Sequence, residues 1–465
     1  MPVNLLQNGP HDPENLHLLA AFKRLVDIWR LNADFREAWC LDPEKAIAGT
    51  GLDIEPEAFR LYLHPAEAEK LLLERGPDAL PKSCLLYLSA LREREELHKL
   101  LREKLNVQDE PHLRAWRERQ DRRCRRQIGI SQFSMTQFPL AFELSEGCSV
   151  GCPFCGFAAK GLRGIFRYTD ENAVLWRETL SRLHALIGDA AGYGLCYYAT
   201  EPLDNPDYEQ FLADWRMEFG VMPQTTTAAS ARDIKRTRAL LSANQACASY
   251  YFRFSVLSPA MRDELFTAFT PEELVGVIML PQFPEAPGSD LLLAGRNRGK
   301  KETDAVGSTI ACVSGFIVNM QEKTVRLETP YASDCSHPTG EWVLEKCAFT
   351  SAEDLEKQIC RMISRYIPEN LDLQKRCGAS CDFRLEEKDG EIRAFIRERG
   401  SVILNSSIGQ TALDTLSKAL KEGRYTGGEL LDLLPEDTDF ITGFLLLNML
   451  WHHGLIDQIV ESSYA

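Results

Sequence analysis

No apolar run in this 465-residue chain reaches the ~18–20 residues that a membrane-spanning helix requires. The first residues, MPVNLLQNGPHDPENLHLL, lack the basic stretch and apolar core of a secretion signal. A cytoplasmic protein with no membrane partner is therefore the expectation. Basic residues are in deficit: 53 Lys and Arg against 68 Asp and Glu leave a net charge of −15. That balance argues against nucleic acid as a partner, because a phosphate backbone calls for a basic face. Internal repeats and low-complexity tracts are absent as well, which excludes solenoid and array architectures. One stretch departs from the acidic balance, from Leu91 to Gln127. It reads as a solvated, charged helix with mixed i,i+4 pairs.

Cysteine is what the chain does have, 14 of them. In a reducing compartment a disulfide framework is not expected, so metal binding or radical chemistry comes first. Isolated Cys40, Cys84, Cys196 and Cys247 read as buried small hydrophobes.

The length calls for several folding units. Residues 1–126 carry apolar positions at three- and four-residue spacing, broken by Gly and Pro, and predict a helical region. Over 127–300 short β-type runs alternate with helical stretches (PLAFELSEG, ENAVLWRETLSRLHALIG, GLCYYAT, YEQFLADWRMEFG, PQTTTAAS, YYFRFSVLS, LVGVIML), which predicts a parallel sheet covered by helices. Active groups of such folds gather on loops beyond the strand carboxyl ends. Residues 301–381 continue with STIACVSGFIVNM and TVRLETP, read as a hairpin extending the sheet, and form a substrate-facing extension. Residues 382–465 change character: a hairpin turning at Asp389–Gly390, a third strand in SVILN and three helical patterns make a small α+β module.

Directly after the first strand lies Cys148-Ser-Val-Gly-Cys152-Pro-Phe-Cys155. Thiolates bind iron strongly, and three of them on a tight loop relieved by Gly147 and Gly151 can ligate three irons of one cubane, leaving the fourth open. A structural zinc would want two close ligand pairs, and no second pair is near.

In this loop the chain resembles the radical S-adenosylmethionine (SAM) superfamily, over roughly 138–283. The resemblance implies a partial (β/α)6 radical SAM barrel, with the helical region before it and a winged-helix-like module after it. It implies a 4Fe–4S cluster on Cys148, Cys152 and Cys155, with SAM chelating the open iron. Reductive cleavage of SAM would then give an adenosyl radical that takes hydrogen from substrate, with electrons from a donor such as flavodoxin or ferredoxin. By the same resemblance Phe154 lies beside the adenine and Glu201, in Thr200-Glu201-Pro202, receives the SAM amino group. Thr226 or Ser230 meets the ribose, Arg253 the carboxylate, and Val277 and Ile278 flank the adenine.

GCSVGCPFCG, IACVSGFIVNM with TVRLETP, and the C-terminal module together resemble radical SAM peptide epimerases of proteusin-type pathways. These convert L-residues of a ribosomally made precursor to D-residues, and the module would bind the precursor's leader by strand addition. Epimerisation requires a second hydrogen donor on the far side of the substrate, and a thiol suits this. Cys335, in the polar loop YASDCSHPTGE beside Asp334 and His337, is the first candidate and Cys347 the second. Cys312, within an apolar strand, and Cys360, in an amphipathic helix, read as packing residues. Where the resemblance places a cysteine after the Thr329–Pro330 step, this chain has Tyr331. Cys377 and Cys381 leave open an auxiliary cluster. A maturase that installs a cross-link or another modification, and a non-catalytic leader-binding protein, are the competing readings.

Overall fold

Prolines punctuate the helical region as its sequence predicts, and short polar residues cap several of its helices. Helices α1 (Pro13–Leu31), α3 (Pro43–Ala48), α4 (Pro56–Leu63) and α5 (Pro65–Arg75) each begin on proline, whose missing N–H would be unpaired there anyway. Asp12, Asn32 and Asp42 cap α1, α2 (Ala33–Leu41) and α3 through side-chain oxygens. Two longer helices follow, α6 (Lys82–Lys104) and α7 (Pro111–Ile128). The computed structural model describes residues 12–128, 137–245, 252–289, 293–298, 309–379, 383–389, 391–396, 401–404, 408–436 and 438–459. An aromatic core of Phe22, Trp39, Phe59 and Tyr87 holds α1–α6 together, with Trp39 edge-on to Phe59 at 5.0 Å. That core ends at Ala90; from Leu101 onward the chain packs against the sheet instead.

The sheet is built on β1 (Phe138–Glu143), every residue of which is buried. Strand β7 (Val313–Asn319) runs parallel beside it, followed by antiparallel β8 (Thr324–Pro330) and β9 (Glu341–Ala348). On the other side of β1, Leu195 bridges Ala141 to Gln224, leading to parallel β4 (Thr225–Thr227), β5 (Phe252–Val256) and β6 (Val277–Pro281). A short pair, β2 (Ser145–Glu146) with β3 (Gly164–Ile165), closes the base of the cysteine loop. Helices α8 (Asp170–Ile187), α9 (Tyr208–Phe219), α10 (Ile234–Gln245), α11 (Pro259–Ala268) and α12 (Ala352–Tyr366) complete this part. Of these, α8, α9 and α12 cover one face through Trp176, Phe211, Trp215 and Ile359.

The architecture is mixed α/β, with one departure from expectation. The GLCYYAT run contributes one bridging residue, Leu195, rather than a full strand, and beyond it Tyr197 and Tyr198 make side-chain contacts. The β7–β8 hairpin extends the sheet at the β1 edge, and among the described residues no pairing joins β6 to β9, so the sheet is open.

The C-terminal module follows its sequence pattern closely. β11 (Phe383–Lys388), β12 (Glu391–Ile396) and β13 (Ser401–Leu404) form an antiparallel sheet in that order, with a short β10 (Cys377–Gly378) before them. At the hairpin turn Asp389 has φ of 56°; Gly390 lies outside the described residues. Helices α13 (Gln410–Glu422), α14 (Gly427–Asp432) and α15 (Phe440–His452) pack Leu416, Leu430, Leu446 and Trp451 into an apolar core. A two-residue β14 (Asp457–Gln458) pairs with β10. α15 leaves Phe440, Ile441 and Leu445 exposed, and β13, paired only with β12 among the described residues, exposes Ile403.

The basic stretch is not the solvated helix its composition suggests. Some i,i+4 pairs exist, such as Arg125–Asp121 at 2.6 Å. On the other side of α7, Arg119 and Arg123 are buried and Arg117 and Arg126 half-buried, against the sheet and the module. Arg117 donates to the carbonyls of Ser314 (2.6 Å) and Gln137 (2.8 Å). Arg119 lies 3.9 Å over the Trp451 ring, and Arg126 donates to the His453 carbonyl. Main-chain carbonyls and ring faces supply partners that a buried guanidinium needs. Burial still pushes Arg119 down to about 10, leaving it charged at neutral pH.

Candidate active site

The cysteine loop is fixed by its backbone before any ligand is considered. Gly147 has φ of 82°, and a Cβ there would collide with the Gly161 carbonyl, so only glycine fits. Gly151, at φ 66°, turns the loop between the first two cysteines. The Cys148 N–H donates to the Lys160 carbonyl (2.9 Å) and that of Cys155 to the Cys152 carbonyl (3.2 Å). From outside, Arg296 donates through Nη1 to the Cys152 carbonyl (2.8 Å) and through its N–H to that of Cys155 (3.0 Å). All three thiols are half-buried. Burial raises Cys148, with Glu201 and Asp204 adding to the effect, and pushes Cys152 up to about 11, with Cys155 and Cys148 next in weight.

The acidic loop lies against this one. Ser149 donates its N–H to Asp204 (2.8 Å) and its hydroxyl to the same carboxylate, while Arg232 joins both, 3.2 Å from Asp204. Glu201 is buried, and burial raises its pKa. Its carboxylate accepts from Thr227 Oγ1 (2.5 Å) and the N–H groups of Ala228 (2.8 Å) and Leu203 (3.0 Å). It therefore ties the acidic loop to the end of β4. Phe154 is half-buried between Cys152 and Cys155; it is Phe157 that packs on Tyr198, at 4.7 Å.

Three of the other predicted residues share one register. Thr226 pairs with Arg253, and Arg253 with Ile278, so they stand side by side on β4, β5 and β6. Strand alternation puts them on the less buried face, while Val277 turns into the helix-covered core. Arg253 donates to Thr226 Oγ1 (2.9 Å) and to the Tyr197 hydroxyl (2.9 Å), which also receives the Gln224 amide (2.8 Å). With both its lone pairs taken, Tyr197 gives its own hydrogen to Thr226 (2.6 Å). Ser230 is buried beyond β4, and its hydroxyl has no partner among the described residues. Tyr197 and Gln224 were not singled out by the sequence; their only signal is their place beside strand ends.

The candidate donors separate. Cys335 is exposed in the loop after β8 and accepts a hydrogen bond from Arg298 (3.2 Å). That loop and the cysteine loop share a brace: the Gly295 N–H donates to the Pro338 carbonyl (2.8 Å), and next to it Arg296 holds Cys152 and Cys155. Cys347 lies opposite Val325 on β9, with its thiol toward Gln358 of α12 (3.7 Å), on the helix-covered side. Cys312 is half-buried rather than core, beside Phe157, Tyr198 and Ala199, and burial pushes it up to about 12. Cys360 and Cys40 are exposed, against expectation, whereas Cys84 and Cys196 are buried. Cys377 is buried in β10; Cys381 and Cys247 lie outside the described residues.

No protein-family model matches the chain. It is 32% identical to the uncharacterized protein y4wI of Sinorhizobium fredii, over 97% of this chain and 90% of that protein. The chain belongs to the y4wI family. Among solved structures, BtrN in complex with AdoMet and 2-DOIA aligns with 49% of this y4wI-family chain and 82% of its own, at 13% identity and a TM-score of 0.32. That similarity is too low to carry an argument. No helix described here is long and apolar enough to cross a membrane.

Proposed function

We propose that this y4wI-family protein is a radical SAM enzyme that epimerises residues of a ribosomally made precursor peptide. The observation that carries the reading is the cysteine loop, with three half-buried thiols on eight residues braced from both sides. Among the described residues no three His, Cys, Asp or Glu close on a single metal ion. A zinc ion would need four donors within about 2.0–2.3 Å of one point. A cubane takes each thiolate on a different iron, so three thiolates suffice to hold it. Cys148, Cys152 and Cys155 would hold that cluster, and Thr226, Arg253, Ile278, Ser230, Glu201 and Phe154 lie on the elements that would surround SAM. When bound, cluster and SAM would supply the radical that removes a hydrogen from the substrate.

The chain's own residues do the rest. Arg253, held by Thr226 and Tyr197, keeps a fixed positive charge on the sheet face where an anionic group would be oriented. Cys335, whose loop shares a brace with the cysteine loop, would return hydrogen from the opposite side. The C-terminal module, with a β13 edge unpaired among the described residues and an apolar α15 face, would hold the leader. Anaerobic reconstitution tests the first claim: the purified chain should bind iron and sulfide and cleave SAM. A chain that binds neither would favour the non-catalytic leader-binding reading. Reaction in deuterium oxide should then give a product one mass unit heavier per site, whereas a cross-link would lose two hydrogens. Cys335→Ala should keep SAM cleavage and lose the D-product, while Cys347→Ala should keep both.

A further inference from the structure

A cleft of about 270 Å³ opens where the sheet meets the C-terminal module, apart from the cysteine loop. One wall is aromatic. Tyr331 and His337 lie 4.1 Å apart, and Trp342 stands edge-on to Tyr331 at 6.0 Å. The other wall is aliphatic, with Leu420 from the end of α13 and Ile459 after β14. Ile459 keeps 38% of its surface exposed, and its tip sits where a Cβ on Gly378 or Gly423 would be, so two glycines fix its position. Arg123 is shared by both walls. It donates to the Pro330 carbonyl (2.7 Å), lies 5.0 Å from the Tyr331 ring and 5.5 Å from Trp342, and stands 3.9 Å from Asp457.

We infer that this cleft is a second peptide subsite that takes one large apolar side chain, preferably aromatic, from the substrate. The inference rests on the peptide reading above and deepens it. The cleft is just under the roughly 300 Å³ at which pockets for drug-sized ligands begin, so it suits one side chain rather than a whole small molecule. Its charges cancel: Arg123 faces Asp457, which Gln120 also binds (3.1 Å), and Lys421 stands beside Glu422 at the rim. An ion would gain little there. A ring entering beside Tyr331 and Trp342 gains edge-on contacts with both, within reach of a fixed cation. Tyr331 and His337 also begin and shape the loop that carries Cys335, since Asp334 binds the His337 ring (3.0 Å) and the Tyr331 N–H donates to Gly340 (2.9 Å). A peptide anchored in the cleft is therefore held next to the donor loop and next to the leader-binding module at once.

The test needs neither cluster, SAM nor precursor. N-acetyl-4-fluoro-L-phenylalaninamide is titrated into the full chain as purified, and fluorine line broadening reports binding. Saturable binding is expected with a dissociation constant on the order of 1 mM. Trp342→Ala and Ile459→Glu should each weaken it about tenfold. Leu73→Ala, at an exposed position on α5, should leave it unchanged. N-acetylglycinamide should not compete. Absence of saturable binding, equal binding by both variants, or preference for N-acetyl-L-argininamide would overturn the subsite. Far-UV circular dichroism verifies folding; if Trp342→Ala does not fold, Ile459→Glu, at a half-exposed side chain, decides the matter. Failure here leaves the epimerase reading standing, and loss of D-product with intact probe binding sinks that reading alone.

Discussion

The sheet and the C-terminal module distribute polarity in opposite ways. The sheet buries charge: Glu143 is paired with Arg326 at 2.9 Å, Arg326 also holds Glu328 at 2.7 Å, and Glu328 is wholly inaccessible. The module's centre is largely apolar, with Ser417 bound to the Leu385 N–H (3.0 Å) as a buried polar exception, and it turns Phe440, Ile441, Leu445 and Ile403 outward. Burying charge is costly unless every group is partnered, and it is accepted where position matters more than stability. Exposing apolar surface is accepted where another chain covers it. Under the proposed function the contrast matches two different demands, reaction geometry in one part and capture in the other.

The sharpest way to break that contrast is at the cysteine loop. Cys148→Ala should reduce bound iron and SAM cleavage to background, a loss of about 10³-fold or more in rate, while leaving leader binding untouched. Colorimetric iron assay and chromatography of deoxyadenosine would read it. Next comes the buried pair. Arg326→Met strands two carboxylates and should cost about 3–5 kcal/mol at pH 7 in urea unfolding. Burial works against ionisation of Glu143, but Arg326 and the Asn319 amide outweigh it and hold the carboxyl below its ordinary 4.5. A depressed carboxylate gives stability above its unfolded value and loses it as pH falls through the folded one. The deficit of Arg326→Met should therefore shrink below pH 4.5.

On the module side, Ile441→Asp should weaken leader binding about tenfold and leave stability within about 0.5 kcal/mol. Anisotropy of a labelled leader, with a melting curve beside it, separates the two effects. The smallest effect is expected at Glu341, whose pKa burial and nearby Glu328 raise well above 4.5. A raised carboxyl is at full stability below its unfolded value and loses it as pH rises. Glu341→Gln, having no such proton to lose, should match the parent at pH 4 and exceed it at pH 7.

Much of this was legible in the sequence where the signal is local. Proline breaks, the β11–β12 hairpin and the strand–strand–strand–helix order of the module depend on neighbouring residues, and among the described residues those elements stand where the pattern puts them. Thr226, Arg253 and Ile278 were chosen one by one, and their common register is a consequence of parallel pairing. Other features are properties of pairing at a distance. That β7 would join β1 rather than follow β6 is not written in either strand. Nor does the run RAWRERQDRRCRRQ announce which arginines find carbonyls and rings more than 190 residues away. The same limit applies to Cys347, whose side of the sheet depends on the bulge between Leu327 and Glu328.

Those α7 arginines bear on how such proteins can be rearranged. Arg119 beneath Trp451, Arg126 on His453 and Arg123 near Asp457 make one helix the socket for the last domain. A module transplanted from a relative would need matching contacts on α7 to seat itself. Swapping recognition domains to retarget chemistry should therefore succeed only when residues 111–128 travel with the graft.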